Sequence, residues 1–289
     1  MKKTCLYHAD CPDGFGAAWA VWKSWGDGAT FKPRHHDDPL APEAFRGGVV
    51  AFVDMAPPRD ALAALVKEAQ QVVVLDHHVS SLKRYQSEPA LVPELSRNGH
   101  RVHFDLAHSG AILAWEHFHA GKPAPSLLLY VEDRDLWKQS LPHSEEVNAA
   151  INSYPRTFAD WDLLATMSVE TLAQEGAPIL RSQRAEVLRS LEFAHPARLG
   201  DERDDRIEAV NARDQRSTIG HELAQRARYG RPWGLVYRIL GDRVDVSIYS
   251  TDDLDVAQVA VAFGGGGHKN AAGFSMSLRD WLERVVASD

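Results

Sequence analysis

Gln71-Val72-Val73-Val74-Leu75-Asp76-His77-His78 is an apolar run of strand length that stops on one acid and two imidazoles. Unbroken large aliphatic residues from Val72 to Leu75 suit a strand buried on both faces, as in the covered parallel sheets of α/β proteins. Upstream, Val49–Val53 has the same character and runs into Asp54. At the start, Thr4–Tyr7 runs into His8-Ala9-Asp10-Cys11-Pro12-Asp13-Gly14. Helical patterns separate these strands: Phe15–Trp25 has apolar residues at 15, 18, 19, 22 and 25, and Arg59–Gln70 is rich in Ala and Leu. Strand–helix–strand alternation predicts an α/β fold, with an N-terminal parallel sheet carrying helices on both faces. Further helices are expected at Ser109–His119, at Leu127–Arg134 and along much of Val147–Glu192.

The chain has 289 residues, 44% hydrophobic and 25% charged, a globular balance of a size that suggests two domains. From Arg181 to Arg216 opposite charges are dense and large apolar residues few, the pattern of a solvated joint. The expected division is 1–185 for the first body, 186–206 for a linker and 207–289 for a smaller C-terminal α/β domain. In that domain Ile207–Asn211, Trp233–Ile239 and Val244–Ser250 read as strands. Ile219–Tyr229, Val256–Phe263 and Leu278–Ala287 read as helices. Apolar runs such as Ala61–Val66 are far below the roughly 18 residues of a membrane span. Met1-Lys2-Lys3 meets His8, Asp10 and Asp13 before a signal-peptide core develops, so a cytoplasmic location without a membrane partner is expected. A net charge of −8 argues against long duplex DNA as a partner. Cys5 and Cys11 fit a reduced compartment and have no zinc-finger spacing.

In an open parallel sheet, loops at the carboxyl ends of adjacent strands converge on one crevice. His8 with Asp10 and Asp13, then Asp54, then Asp76-His77-His78 would meet there. So many acids are tolerable together only around cations. Carboxylate and imidazole without thiolate suit manganese, magnesium, iron or zinc, and the donors suffice for two ions. Taken singly, an aspartate after a strand is commonly a turn or cap residue, and the pair His35-His36 reads as surface. Rival hydrolase signatures are missing: Pro12 breaks an Asp-x-Asp loop at Asp10, and no His-x-His-x-Asp, His-Glu-x-x-His, P-loop or Gly-x-Gly-x-x-Gly occurs.

His8-x-Asp10-x-x-Asp13-Gly14, Asp54 and Asp76-His77-His78 resemble the successive motifs of the DHH phosphoesterase family. Gly264-Gly265-Gly266-Gly267-His268-Lys269-Asn270-Ala271-Ala272-Gly273-Phe274 resembles the glycine-rich signature of that family's associated C-terminal domain. The resemblance implies a catalytic domain with two divalent ions, manganese first and magnesium next, and a C-terminal substrate-binding domain. It implies metal ligands among His8, Asp10, Asp13, Asp54, His77 and Asp133, with Asp54 bridging and Asp135 the alternative to Asp133. The second Asp of the first motif stands five residues after His8, a departure from the family spacings, so Asp10 and Asp13 both stand as candidates. His78 resembles the residue that faces the substrate phosphate, with Asp76 orienting its neighbours.

Consecutive glycines let backbone N–H groups converge on an anion, and His268 adds a donor. Gly265, Gly266, Gly267, His268 and Asn270 are therefore candidate substrate-binding residues, beside His78; the plain alternative is a flexible turn. The implied catalytic set is His78, Asp54 and His268. Helix-opening Ser109-Gly110 could face phosphate, although a simple cap explains it as well. Arg134, Arg213 and Arg216 are further phosphate candidates, while Trp19, Trp22 and Trp25 at helical spacing read as core. The expected reaction is metal-dependent hydrolysis of phosphodiester or phosphomonoester bonds by activated water. The expected substrates are short single-stranded oligonucleotides, linear dinucleotides or bis-phosphorylated nucleosides. An inorganic pyrophosphatase or exopolyphosphatase, and a non-catalytic nucleotide-binding sensor, are the alternatives. An oligomer is compatible with the sequence.

Overall fold

The computed structural model describes residues 1–35, 38–200, 206–251 and 253–286. It divides into two compact units, Met1–Leu180 and Arg181–Asp289. His36, residues 201–205 of the charged stretch and Ala287 of the expected last helix lie outside the described residues.

The first unit opens with β1 (Lys3–His8), α1 (Pro12–Trp25), β2 (Thr30–Arg34), β3 (Val49–Val53), α2 (Arg59–Glu68) and β4 (Gln71–Asp76). It continues with α3 (Val79–Gln86), α4 (Leu91–Arg97), β5 (Arg101–Phe104), α5 (Gly110–Phe118), α6 (Ser126–Asp135), α7 (Ser144–Ser153) and α8 (Phe158–Leu164). The boundary between units falls within α9 (Val169–Leu191). The strands form one wholly parallel sheet in the order β2-β1-β3-β4-β5. Side chains alternate across a strand, and both faces are apolar. Cys5, Ala51, Val53, Val73 and Leu75 pack with α1, α5 and α6 on one side. Leu6, Val50, Phe52, Val72 and Val74 pack with α2 on the other. That is why the strands read as unbroken hydrophobic runs. Trp19 is core, as its spacing predicts, while Trp22 and Trp25 are partly buried against the same cluster.

The second unit contains β6 (His195–Arg198), β7 (Arg206–Asn211), α10 (Arg216–Arg226), β8 (Trp233–Leu240) and β9 (Arg243–Ser250). It ends with α11 (Val256–Ala262), β10 (Gly266–His268), β11 (Ala271–Ser277) and α12 (Leu278–Arg284). Its six strands form a mixed sheet, β10-β11-β9-β8-β7-β6, in which β7 and β8 alone run parallel. Val210, Val236, Ile219 and Leu223 form a core with the end of α9. The expected linker region thus holds the end of α9 and all of β6. Among the described residues no helix is long and apolar enough to cross a membrane.

Candidate metal centre

Because β1, β3 and β4 are parallel neighbours, their carboxyl ends deliver His8, Asp54 and Asp76-His77-His78 to one edge of the sheet. Asp54 turns there with φ 56°, a left-handed conformation that costs a non-glycine residue about 1–2 kcal/mol. The start of α1 is pressed on the end of β1: a Cβ on Gly14 would lie 2.2 Å from the His8 carbonyl oxygen. The next layer is equally tight, since a Cβ on Gly110 at the start of α5 would lie 2.4 Å from Asp54 Cβ. Asp13 sits against that helix end, accepting from Gly110 N at 2.6 Å and Ala111 N at 3.0 Å. Ser109 Oγ caps the helix by accepting from Ile112 N, while the Ser109 amide donates to Glu132 Oε2 at 2.9 Å and the Gly110 amide to Asp13.

Three carboxylates surround one imidazole nitrogen. His77 Nε2 lies 2.9 Å from Asp54 Oδ1, 3.5 Å from Asp13 Oδ2 and 3.6 Å from Asp135 Oδ2. The other oxygen of Asp54 lies 3.3 Å from His8 Nδ1. His78 Nδ1 is 2.7 Å from Asp76 Oδ1, which also accepts the backbone N–H of His77 and His78. Among the described residues of the first unit two donor groups therefore lie side by side, one of His8, Asp54 and His78 and one of Asp13, His77 and Asp135. Asp54 reaches towards both with different oxygens.

The charges are out of balance. Burial, then the Asp54 and Asp135 charges, push the Asp13 carboxyl well above its ordinary range. Burial foremost, with Asp54 adding to it, pushes Asp135 up as well. For Asp54, burial opposes ionisation, but the His77 and His8 contacts outweigh it and hold the carboxyl well below the usual range. Asp76 is pulled down to about 2 by His78, and then by His77, against its burial. His77 resists burial through Asp54 and the neighbouring acids and is pushed up to about 10. One N–H cannot serve three carboxylates. Asp135 Oδ2 is buried and accepts no hydrogen bond among the described residues, and buried Asp54 Oδ2 has only the 3.3 Å contact with His8 Nδ1. Buried acceptors of this kind, in an all-oxygen and imidazole donor set, fit divalent cations. Cys11, at the start of α1, is pushed well up by burial and by the acids, so a thiolate is disfavoured there.

No protein-family profile matches the chain. An uncharacterized protein of Acanthamoeba polyphaga mimivirus is 27% identical over 294 positions, covering 94% of this chain and 67% of that one. The structure of RecJ from Thermus thermophilus in complex with Mn2+ superposes with a TM-score of 0.50 and 17% identity, covering 98% of this chain and 50% of RecJ. The chain thus spans half the length of that protein. The likeness is one of fold, shared with this RecJ structure. A pGpG-specific phosphodiesterase from Vibrio cholerae aligns over 98% of this chain and 96% of its own, with a TM-score of 0.45 and 11% identity.

Within this fold, the structure brings together His8, Asp13, Asp54, His77 and His78 of the residues singled out by sequence. It leaves two others apart. Asp10 has a side chain 84% exposed, takes φ 55° and lies 3.7 Å from His35 Nε2. Asp133 is buried, but its Oδ1 accepts from Ser140 N and Oγ and its Oδ2 from Ser144 Oγ. Those bonds hold its carboxyl below the usual range despite burial. Asp135, the alternative, is the residue of this pair in the donor group. Two helical residues apart is roughly 200° of rotation, so the two cannot face one way.

In the second unit the glycine run is ordered. Gly266, Gly267 and His268 pair with Gly273, Ala272 and Ala271 as the hairpin β10–β11. A Cβ on Gly265 would lie 2.0 Å from the Gly273 carbonyl oxygen, which explains a glycine there. Asn270 donates from Nδ2 to Ser250 Oγ at 3.0 Å and so ties the hairpin turn to the end of β9. Arg216 Nη1 donates to Ser247 Oγ at 3.2 Å.

Proposed function

We propose that the chain is a two-metal phosphoesterase that hydrolyses small phosphorylated nucleotides: short oligonucleotides, linear dinucleotides or bis-phosphorylated nucleosides. The observation that carries this reading is the trio of carboxylates gathered on His77 Nε2. Asp13, His77 and Asp135 would hold one ion, His8 and Asp54 the other, with Asp54 shared. Divalent ions in such a site activate water and offset phosphoryl charge. Manganese is the first ion to test, since it is the one in the RecJ structure of like fold.

The chain's own groups supply position and exclusion of water. Amides at the start of α5 fix Asp13, and Asp76 fixes the ring of His78 through Nδ1. A ring so oriented can present its far edge to a phosphoryl oxygen. In the second unit, Gly265, Gly266, Gly267 and His268 stay candidate substrate-binding residues of their own, and Asn270 braces their turn. Asp10 and Asp133 stay outside this reading as ligands.

The test is a substrate panel with manganese: a linear dinucleotide, an RNA 5-mer, a bis-phosphorylated nucleoside, pyrophosphate and polyphosphate. Products are resolved by chromatography. Release of mononucleotide or phosphate by the wild type, lost in Asp54→Ala with its circular dichroism unchanged, is the expected result. Recovery of every compound intact would overturn the enzyme reading. Cleavage of pyrophosphate or polyphosphate alone would replace the nucleotide class by the inorganic one.

A further inference from the structure

Two side chains beside the centre have no part in holding ions. Arg134 and Trp137 flank Asp135 by one residue and by two. Consecutive Cα atoms are about 3.8 Å apart, so both backbones stand next to that of a centre carboxylate. The Arg134 guanidinium carbon sits 4.1 Å from the Trp137 ring centroid, a cation–π stack. Both residues are half-buried, and Trp137 is not part of either apolar core on the faces of the parallel sheet.

The backbone is bent to place them. Trp137 takes φ 55°, a left-handed conformation in which a bulky aromatic is an outlier that persists only where its surroundings over-determine it. Gln139 and His143 follow with φ 47° and 57°. Asp133 imposes this path. Its carbonyl oxygen accepts from Lys138 N at 2.9 Å and Gln139 N at 3.2 Å. Its carboxylate takes Ser140 N at 2.9 Å, Ser140 Oγ at 2.8 Å and Ser144 Oγ. Tyr130 Oη closes the far side by donating to the Pro142 carbonyl at 2.7 Å. A buried acid, two serines and a tyrosine thus pin one short loop whose product is a guanidinium lying on an indole.

We propose that the Arg134–Trp137 stack reads the nucleobase of the substrate. A base ring can continue such a stack, since guanidinium planes and aromatic faces both accept bases without regard to sequence. The element makes the centre select phosphate esters that carry a base over bare pyrophosphate or polyphosphate. The inference rests on the phosphoesterase reading above and narrows its substrate class.

The experiment crosses two proteins with two ligands, wild type and Trp137→Ala against the dinucleotide pApA and its analogue abasic at one residue, with manganese present. Both KM in turnover and Kd by calorimetry are measured. Removing the base should cost the wild type about tenfold or more, the loss that one stacked base represents. The variant's penalty should be confined to the ligand that keeps its base, and Trp137→Phe should recover most of it. Equal losses on both ligands, or none, would overturn the proposal. Cleavage by the wild type without that coupling defeats the stack but not the phosphoesterase; coupled binding without cleavage does the reverse. If Trp137→Ala does not fold, Trp137→Phe against Trp137→Leu makes the same comparison.

Discussion

Gly110→Ala tests whether the centre depends on how closely α5 approaches β3. The added methyl would lie 2.4 Å from Asp54 Cβ and 2.7 Å from its Cα, a full ångström inside the 3.4 Å at which ordinary contact begins. Neither partner is a flexible side-chain end. The start of α5 must therefore retreat, and its amides carry the 2.6 Å and 3.0 Å bonds to Asp13 with them. Overpacking of this kind costs about 1–3 kcal/mol. Loosening a residue that supports metal ligands weakens binding about 10- to 100-fold, and a displacement near 1 Å costs about 100-fold in rate. Without the clash the sign would reverse, because alanine is favoured over glycine in a helix by roughly 0.5–1 kcal/mol. Urea unfolding and calorimetric titration with Mn2+ read the two effects. Gly28→Ala, where an added methyl meets nothing within 4 Å, is the control. A Gly110→Ala protein at least as stable as wild type, with unchanged Mn2+ affinity, would mean that the close approach of α5 to β3 does not hold the centre.

Asp135→Asn should raise the stability of the metal-free protein, because burial and the Asp54 charge disfavour its ionised form. The same change should shrink the rise in melting temperature on adding Mn2+; an undiminished rise would remove Asp135 from the donor set. Asp133→Ala should destabilise by about 3 kcal/mol through the donors it abandons, yet leave the number of bound ions unchanged by calorimetry. Loss of an ion would return Asp133 to the ligands. Asp245 in β9 is held at about 2, against its burial, by Arg243, Ser275 and Arg238. Its stabilising contribution is therefore complete above the unfolded value near 4 and lost as pH falls towards 2. Because both arginines are partly exposed, the contribution is about 1 kcal/mol. The stability gap between wild type and Asp245→Asn should close over that window; a constant gap would contradict the assignment.

The strands that build the centre were legible because each is buried on both faces, and burial writes itself as an aliphatic run. β2 was not, since it carries Pro33 and sits at the sheet edge with mostly exposed side chains. β10 and β11 were hidden by glycine and alanine, whose strand identity comes from pairing, β10 with β11 and β11 with β9, and not from propensity. Adjacent strands announced His8, Asp54 and His77, but phase within a loop or helix decides the remaining ligands. Asp10 and Asp13 lie on one short turn, and only the left-handed φ of 55° at Asp10 sends its carboxylate outward. Asp133 and Asp135 lie near the end of one helix, and a short polar tract gives no periodicity from which to choose between them. The pattern Ser140…Ser144 downstream of Asp133 is the one local hint that this acid has donors of its own.

Asp54 engages His8 through one oxygen and His77 through the other. A carboxylate shared in this way makes the two halves of the centre interdependent, since whatever withdraws charge from one oxygen leaves the second a poorer ligand. Loading with divalent cations should then proceed in unequal steps, a tight one followed by a weaker one.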